Sequence, residues 1–248
     1  MNTPLLPERP AIHEAAIKGN LAEVEKLLAE NPKLANSVDD DGRLPLHWAI
    51  SSNHKAIVEL LHSTKGFDPD APDTRGWTPL MIAASIKDGE EIVKLLLAYG
   101  AMVNAQNDSK QTALHFAVSK QNTEVVKLLL SAPHKASTRI LDIRKQIPIH
   151  RAAAVGSSPL IRILLDNNSS IDPIDDYGQT PLHHAIAEGH GDAAVTLLKR
   201  GAKTDGKDKE GKLAIELAPD RKVRLFVSNA AKAENIAITM PEGMKIDL

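Results

Sequence analysis

Thr180-Pro181-Leu182-His183-His184-Ala185 is the fullest copy of a phrase that runs through the whole chain. It returns as Pro45-Leu46-His47-Trp48-Ala49, Thr78-Pro79-Leu80-Met81-Ile82-Ala83, Thr112-Ala113-Leu114-His115-Phe116-Ala117 and Ile147-Pro148-Ile149-His150-Arg151-Ala152. Weaker copies stand at the two ends, Ala11-Ile12-His13-Glu14-Ala15 and Ala214-Ile215-Glu216-Leu217-Ala218. The central Leu or Ile falls at 12, 46, 80, 114, 149, 182 and 215, so one period of 33 to 35 residues covers nearly all of the 248 residues. A fixed period of this size signals a stack of identical supersecondary units.

The chemistry of each position says what the unit is. Thr78, Thr112 and Thr180 suit a helix N-cap, and the Pro that follows Thr78 and Thr180 suits the first helical turn, so the phrase opens a helix. Three residues after the marker stands Ala in all seven copies, from Ala15 to Ala218, where a larger side chain would hold neighbouring helices apart. A second apolar run follows in each unit, at 24–28, 57–61, 92–97, 125–130, 160–165, 194–198 and 223–227, and reads as a second helix. Gly66, Gly100 and Gly201, with Asn31 and Asn168 as substitutes, are expected to close these helices in the left-handed conformation. Polar turns such as Asp39-Asp40-Asp41-Gly42 and Asp175-Asp176-Tyr177-Gly178 join the units through hairpin-like connections. The T-P-L-H-x-A phrase at this period resembles the signature of ankyrin repeats. The expected fold is therefore an all-α solenoid of seven helix-turn-helix units over residues 5–232, with its two end units as caps and residues 235–248 as a C-terminal tail. The end units differ from the middle: Glu8 stands at a turn Gly position and Glu216 replaces the His.

Composition narrows the function. Thirty Lys and Arg against 32 Asp and Glu give a formal charge of −2, which leaves no basic excess for nucleic acid or acidic lipid. With no cysteine, the chain forms no disulfide, thiolate metal site or cysteine nucleophile, and with no secretory signal it is expected in the cytosol and nucleus. The apolar runs are too short for a membrane span, so a soluble protein is expected. His13, His47, His115, His150 and His183 share one register position and sit a full repeat apart, which suits backbone hydrogen bonding better than converging metal ligands. His183, His184 and His190 lack the carboxylate of an HExxH pattern, and neither a phosphate-binding Gly loop nor G-x-S-x-G occurs. No catalytic, metal or cofactor site is expected; the chain reads as a non-enzyme.

The seven aromatic residues are distributed unevenly. Trp48 and Phe116 follow the register His on the solvent side of the first helix, and Trp77 and Tyr177 stand beside the turn Gly. Such a stripe favours a protein interface, where Trp, Tyr and Arg supply most of the binding energy. Charges at the same variable positions run from Asp40, Asp41 and Arg43 through Arg75, Asp108 and Lys120 to Arg144, Arg151, Lys209, Glu210 and Lys212, acidic early and basic later. They suit a long partner with patches of both signs.

Three stretches carry a narrower resemblance: Asp41-Gly42-Arg43-Leu44-Pro45-Leu46-His47-Trp48, Arg75-Gly76-Trp77-Thr78-Pro79-Leu80 and Ile149-His150-Arg151-Ala152-Ala153-Ala154. They are similar to the gankyrin family of ankyrin-repeat chaperones of proteasome assembly, and residues 187–195 resemble its yeast member in particular. The resemblance implies a monomeric chaperone whose concave face grips the C-terminal helical domain of one ATPase subunit of the proteasome regulatory particle, delaying its docking on the core particle. Carried over by motif, Arg43, Trp48, Trp77, Lys120 and Arg151 lie on the gripping surface, beside the residue-derived candidates Asp40, Asp41, Arg75, Phe116 and Tyr177. The Leu-x-Cys-x-Glu motif that the mammalian member carries for retinoblastoma-protein binding is replaced here by His184-Ala185-Ile186-Ala187-Glu188. Lys110 and Lys145 replace the turn Gly of two units, and Pro133-His134 alter the loop between them. The alternative is another ankyrin scaffold, of the kinase-inhibiting or transcription-factor-sequestering kind.

Overall fold

Helices of seven to thirteen residues are marginal at best alone in water, and the structure, a computed structural model that describes residues 10–241, stacks them in pairs. Residues 5–9 of the expected domain, Glu8 among them, and residues 242–248 of the expected tail lie outside the described residues. The chain divides into two compact units, 1–108 and 109–248.

In the first unit α1 (Ala11–Lys18) pairs with α2 (Leu21–Glu30), a 3-10 turn (Pro32–Asn36) follows, and α3 (Pro45–Ser51) with α4 (Lys55–His62) and α5 (Pro79–Ser85) with α6 (Glu90–Ala98) complete it. The first helices α1, α3 and α5 lie side by side in that order. The second unit repeats the plan with α7 (Ala113–Ser119) and α8 (Thr123–Leu130), α9 (Pro148–Ala154) and α10 (Ser158–Asp166), then α11 (Pro181–Ala187) and α12 (Gly191–Lys199), ending on a 3-10 turn (Ala214–Leu217) and α13 (Arg221–Ala233). Among the described residues there is no strand, only an isolated bridge between Lys207 and Leu213. The last unit was expected to open with an α-helix like the rest. Its 3-10 turn is the exception, because Pro219 drives Ala218 into an extended conformation (φ −57°, ψ 125°) and ends the helix after one turn.

The seven register alanines are all buried, as close stacking requires, with Leu80, Met81, Ile92 and Leu96 filling the first unit and Leu114, Leu129, Ile149 and Leu160 the second. Hairpin tips join successive repeats through backbone bonds: Thr74 N–H to Asp41 O at 3.0 Å and Asp108 N–H to Arg75 O at 3.2 Å in the first unit. In the second, Ile143 donates to Ser109 O, Asp176 to Arg144 O and Lys209 to Tyr177 O at 2.9 to 3.0 Å. Lys110 and Lys145 take the same left-handed backbone (φ 57° and 58°) as the Gly they replace, so the hairpin is kept at the cost of some strain. Asn31 departs from expectation: it is extended (φ −148°), not left-handed, since Pro32 follows it, and its side chain caps the 3-10 turn instead. Gly66, Gly100, Asn168 and Gly201 do adopt positive φ. The described part of the tail packs on the last repeat: Thr239 N–H donates to Thr204 Oγ1 at 3.1 Å, and Ile238 lines a small apolar cavity together with Leu182, Ile215 and Val227.

Candidate functional site

The register histidines stitch the first helices together. Nδ1 accepts the N–H of the residue three before, Leu44 to His47 at 2.9 Å, Thr112 to His115 at 3.1 Å, Ile147 to His150 at 3.1 Å and Thr180 to His183 at 3.2 Å. That fixes the neutral tautomer with its proton on Nε2, which donates to a carbonyl of the next repeat: Ala71, Gln146, Pro173 and Lys212. Burial pushes all four imidazoles below the ordinary histidine value, His115 and His150 to about 4. Among the described residues no group of three or more His, Asp or Glu is placed to hold a metal ion, and no helix is long and apolar enough to cross a membrane.

The candidate interface residues fall into two groups. In the first unit Arg43, half-buried, stacks its guanidinium over the Trp48 ring at 5.0 Å and donates from Nε to Asp73 Oδ2 at 3.2 Å. Trp48 Nε1–H donates to Asp39 Oδ2 at 2.7 Å. Asp40, Asp41 and Arg75 are exposed on the hairpins, and a polar cleft of about 300 Å³ brings Asp41, Arg43, Arg75 and Trp77 together. In the second unit Phe116 on α7 is half-buried, and Lys120, the residue that caps the C-terminus of α7 one turn on, is exposed. Arg151, on the neighbouring α9, donates from Nη2 to Asp142 Oδ2 at 2.7 Å. Tyr177 stands 64% exposed on a hairpin tip.

Sequence reasoning missed the acceptors. Burial alone would raise Asp39, Asp142 and Asp175, yet their hydrogen bonds overcome it and hold all three below the usual carboxylate value. The donors are the Arg43 and Asp41 backbones and the Trp48 indole for Asp39, and the Arg151 guanidinium with the Gln146 and Arg144 backbones for Asp142. The Gln146 amide, the Gln179 and Tyr177 backbones and His184 serve Asp175. The clue was available, since Asp39, Asp73, Asp142, Asp175 and Asp208 follow the repeat period. Also missed were Leu141, Ile143 and Ile174, 47 to 62% exposed beside these turn aspartates. Charge divides between the units: residues 1–108 hold 10 Lys and Arg against 16 Asp and Glu, residues 109–248 hold 20 against 16. What such a surface offers is anchored aromatic and cationic side chains on the first helices and hairpins of each unit.

Comparison with known proteins agrees with this geometry. The chain matches the family described as "Ankyrin repeats (3 copies)" over residues 2–73, 57–139 and 132–208. It is 40% identical over 224 residues to the "Probable 26S proteasome regulatory subunit p28" of Saccharomyces cerevisiae, covering 88% of this chain and 97% of that protein. A Schizosaccharomyces pombe protein, "Ankyrin repeat-containing protein C6C3.08", is 38% identical over 228 residues, covering 90% and 97%. Among solved structures, the ankyrin repeat domain of human ASB11 superposes with a TM-score of 0.77 at 25% identity, covering 90% of this chain and 98% of that one. That of Bcl-3 gives 0.72 at 25% identity, covering 89% and 98%.

Proposed function

The chain belongs to the ankyrin-repeat family, and from that premise we propose that it is a non-enzymatic assembly chaperone that binds the C-terminal helical domain of an ATPase subunit of the proteasome regulatory particle. The observation that carries this reading is the likeness to the yeast p28 protein, named a proteasome regulatory subunit, along almost the entire length of both chains. A match confined to a few repeats would indicate the fold alone, because ankyrin repeats serve many partners. The partner is taken to meet the first-helix and hairpin side of the repeats, at Arg43, Trp48, Arg75 and Trp77 in one unit and Phe116, Lys120, Arg151 and Tyr177 in the other. The opposite charge balance of the two units suits a partner with separate acidic and basic patches. The cytosol and nucleus, the compartments expected of a cysteine-free chain, are where we place this activity.

Calorimetric titration of the full chain against the C-terminal domains of the proteasomal ATPases tests the reading. One of them is expected to bind, and Trp48→Ala or Trp77→Ala is expected to weaken that complex by about 2 kcal/mol or more if either ring is a central anchor. Wild-type protein that binds none of the domains sinks the proposal in favour of another ankyrin scaffold. Binding that survives every folded stripe variant moves the site to the second helices or the tail.

A further inference from the structure

Six side-chain hydrogen bonds recur at two fixed spacings. Nine residues beyond a hairpin aspartate, a half-buried position of the first helix returns to it: Trp48 to Asp39 at 2.7 Å, Arg151 to Asp142 at 2.7 Å and His184 to Asp175 at 2.9 Å. One repeat back, the residue four beyond the preceding hairpin's aspartate reaches forward: Arg43 to Asp73 at 3.2 Å, Gln146 to Asp175 at 3.1 Å and Gln179 to Asp208 at 3.5 Å. Every one of the six ends on Oδ2. Oδ1 is otherwise engaged, accepting the backbone N–H groups two and four residues on, for instance Arg144 at 2.8 Å and Gln146 at 2.9 Å on Asp142.

The turn by itself needs only Oδ1, which an Asn supplies equally well. At Asp39, Asp73, Asp142, Asp175 and Asp208 the second oxygen serves a side chain as well, from the same repeat or from the one before. The side chains of Asp73, Asp142 and Asp175 are 3, 1 and 0% exposed, while Arg43, Arg151 and His184 keep 29, 20 and 17%. Each donor is thus anchored at an inner end and presented at an outer one.

We propose that Asp39, Asp73 and Asp142 are positioning residues of the partner-binding stripe, fixing before encounter Trp48, Arg43 and Arg151, which a partner meets. This rests on the reading of the stripe as the ATPase-binding surface and adds a set of residues that determine its geometry. A side chain already held in its bound rotamer loses less freedom on binding, which is worth roughly two- to tenfold in affinity for each one.

The test uses full-length Asp142→Asn, which keeps Oδ1 and the side-chain shape but turns the acceptor facing Arg151 into a donor. Affinity for the proteasomal ATPase domain is measured in the wild-type and Arg151→Met backgrounds, together with nitrogen relaxation of the arginine Nε–H groups. Asp142→Asn is expected to weaken binding roughly two- to tenfold, to mobilise the Arg151 Nε–H, and to change nothing further in the Arg151→Met background. Equal losses in both backgrounds, or an Arg151 no more mobile than before, overturn the proposal while leaving the functional reading intact. Absence of wild-type binding refutes the functional reading first and the partner role with it. If Asp142→Asn does not fold, Asp39→Asn against Trp48→Phe poses the same question in the first unit, and equal losses there overturn the proposal equally.

Discussion

Acidification should destabilise the second unit through its buried imidazoles before its lowered aspartates titrate. His115 and His150 have their values pushed down to about 4 by burial, and each is held neutral by a backbone N–H aimed at Nδ1. In the unfolded chain both return to the ordinary 6.5. Between these values the unfolded state binds more protons, so stability rises with pH: the contribution is complete above the unfolded value and is lost as pH falls toward 4. At 1.36 kcal/mol per pH unit, moving from neutrality to about pH 5 costs about 2 kcal/mol for each ring, or about 4 kcal/mol together. The lowered Asp142, Asp175 and Asp208 act in the same direction only below their ordinary 3.8, outside this window. Urea unfolding followed by far-ultraviolet circular dichroism at several pH values measures the effect; tryptophan fluorescence follows the first unit alone, which holds both tryptophans. His115→Gln should begin less stable but show a pH slope shallower by one proton. A stability independent of pH across the window, or an unchanged slope in His115→Gln, would refute the assignment of neutral, interlocked histidines.

Ala117→Leu, at a fully buried register alanine, should cost roughly 1 to 3 kcal/mol by overpacking, and an unchanged melting temperature would count against the stacking described. Leu129→Ala, in the core of the second unit, should cost about 2 to 5 kcal/mol by the same measurement. Gly76→Ala and Gly100→Ala both place a Cβ at positive φ, but only at Gly76 would that Cβ meet a neighbour, Asp108 N at 3.1 Å. Gly76→Ala should therefore be the more destabilising, by about 1 kcal/mol beyond the backbone cost of about 1 kcal/mol common to both. Equal melting temperatures would show that the hairpins yield independently.

Much of this molecule could be read before folding it, because an ankyrin repeat is built from local signals. The Thr-Pro start, the uniform Ala and the turn Gly each act within a few residues, and repetition makes each signal legible seven times. The same locality explains the failures: Asn31 and the last unit's first helix were misjudged where a neighbouring proline overrode the repeat pattern. The candidate interface was legible only in part. The scarce aromatics and Arg43 stand out as unusual residues, but sequence alone does not show what Arg43 and Arg151 are bound to. In the folded chain each closes on a carboxylate 3% or less exposed, so reversing its sign would disturb the fold as well as any partner's approach.

The sequence by itself determined the period, the order of helices and turns, and which positions face the stack, since all of these follow from side chains interacting with their own backbone and with the repeat's own apolar pattern. Only the tertiary structure decided what the turn aspartates are for. Their two oxygens are chemically alike, and it is stacking that brings Arg43 to Asp73 and Gln146 to Asp175 across some 30 residues of chain, 30 and 29 respectively. Once buried there, a carboxylate must be satisfied on both oxygens, and that requirement turns a turn-forming residue into one that also sets the surface.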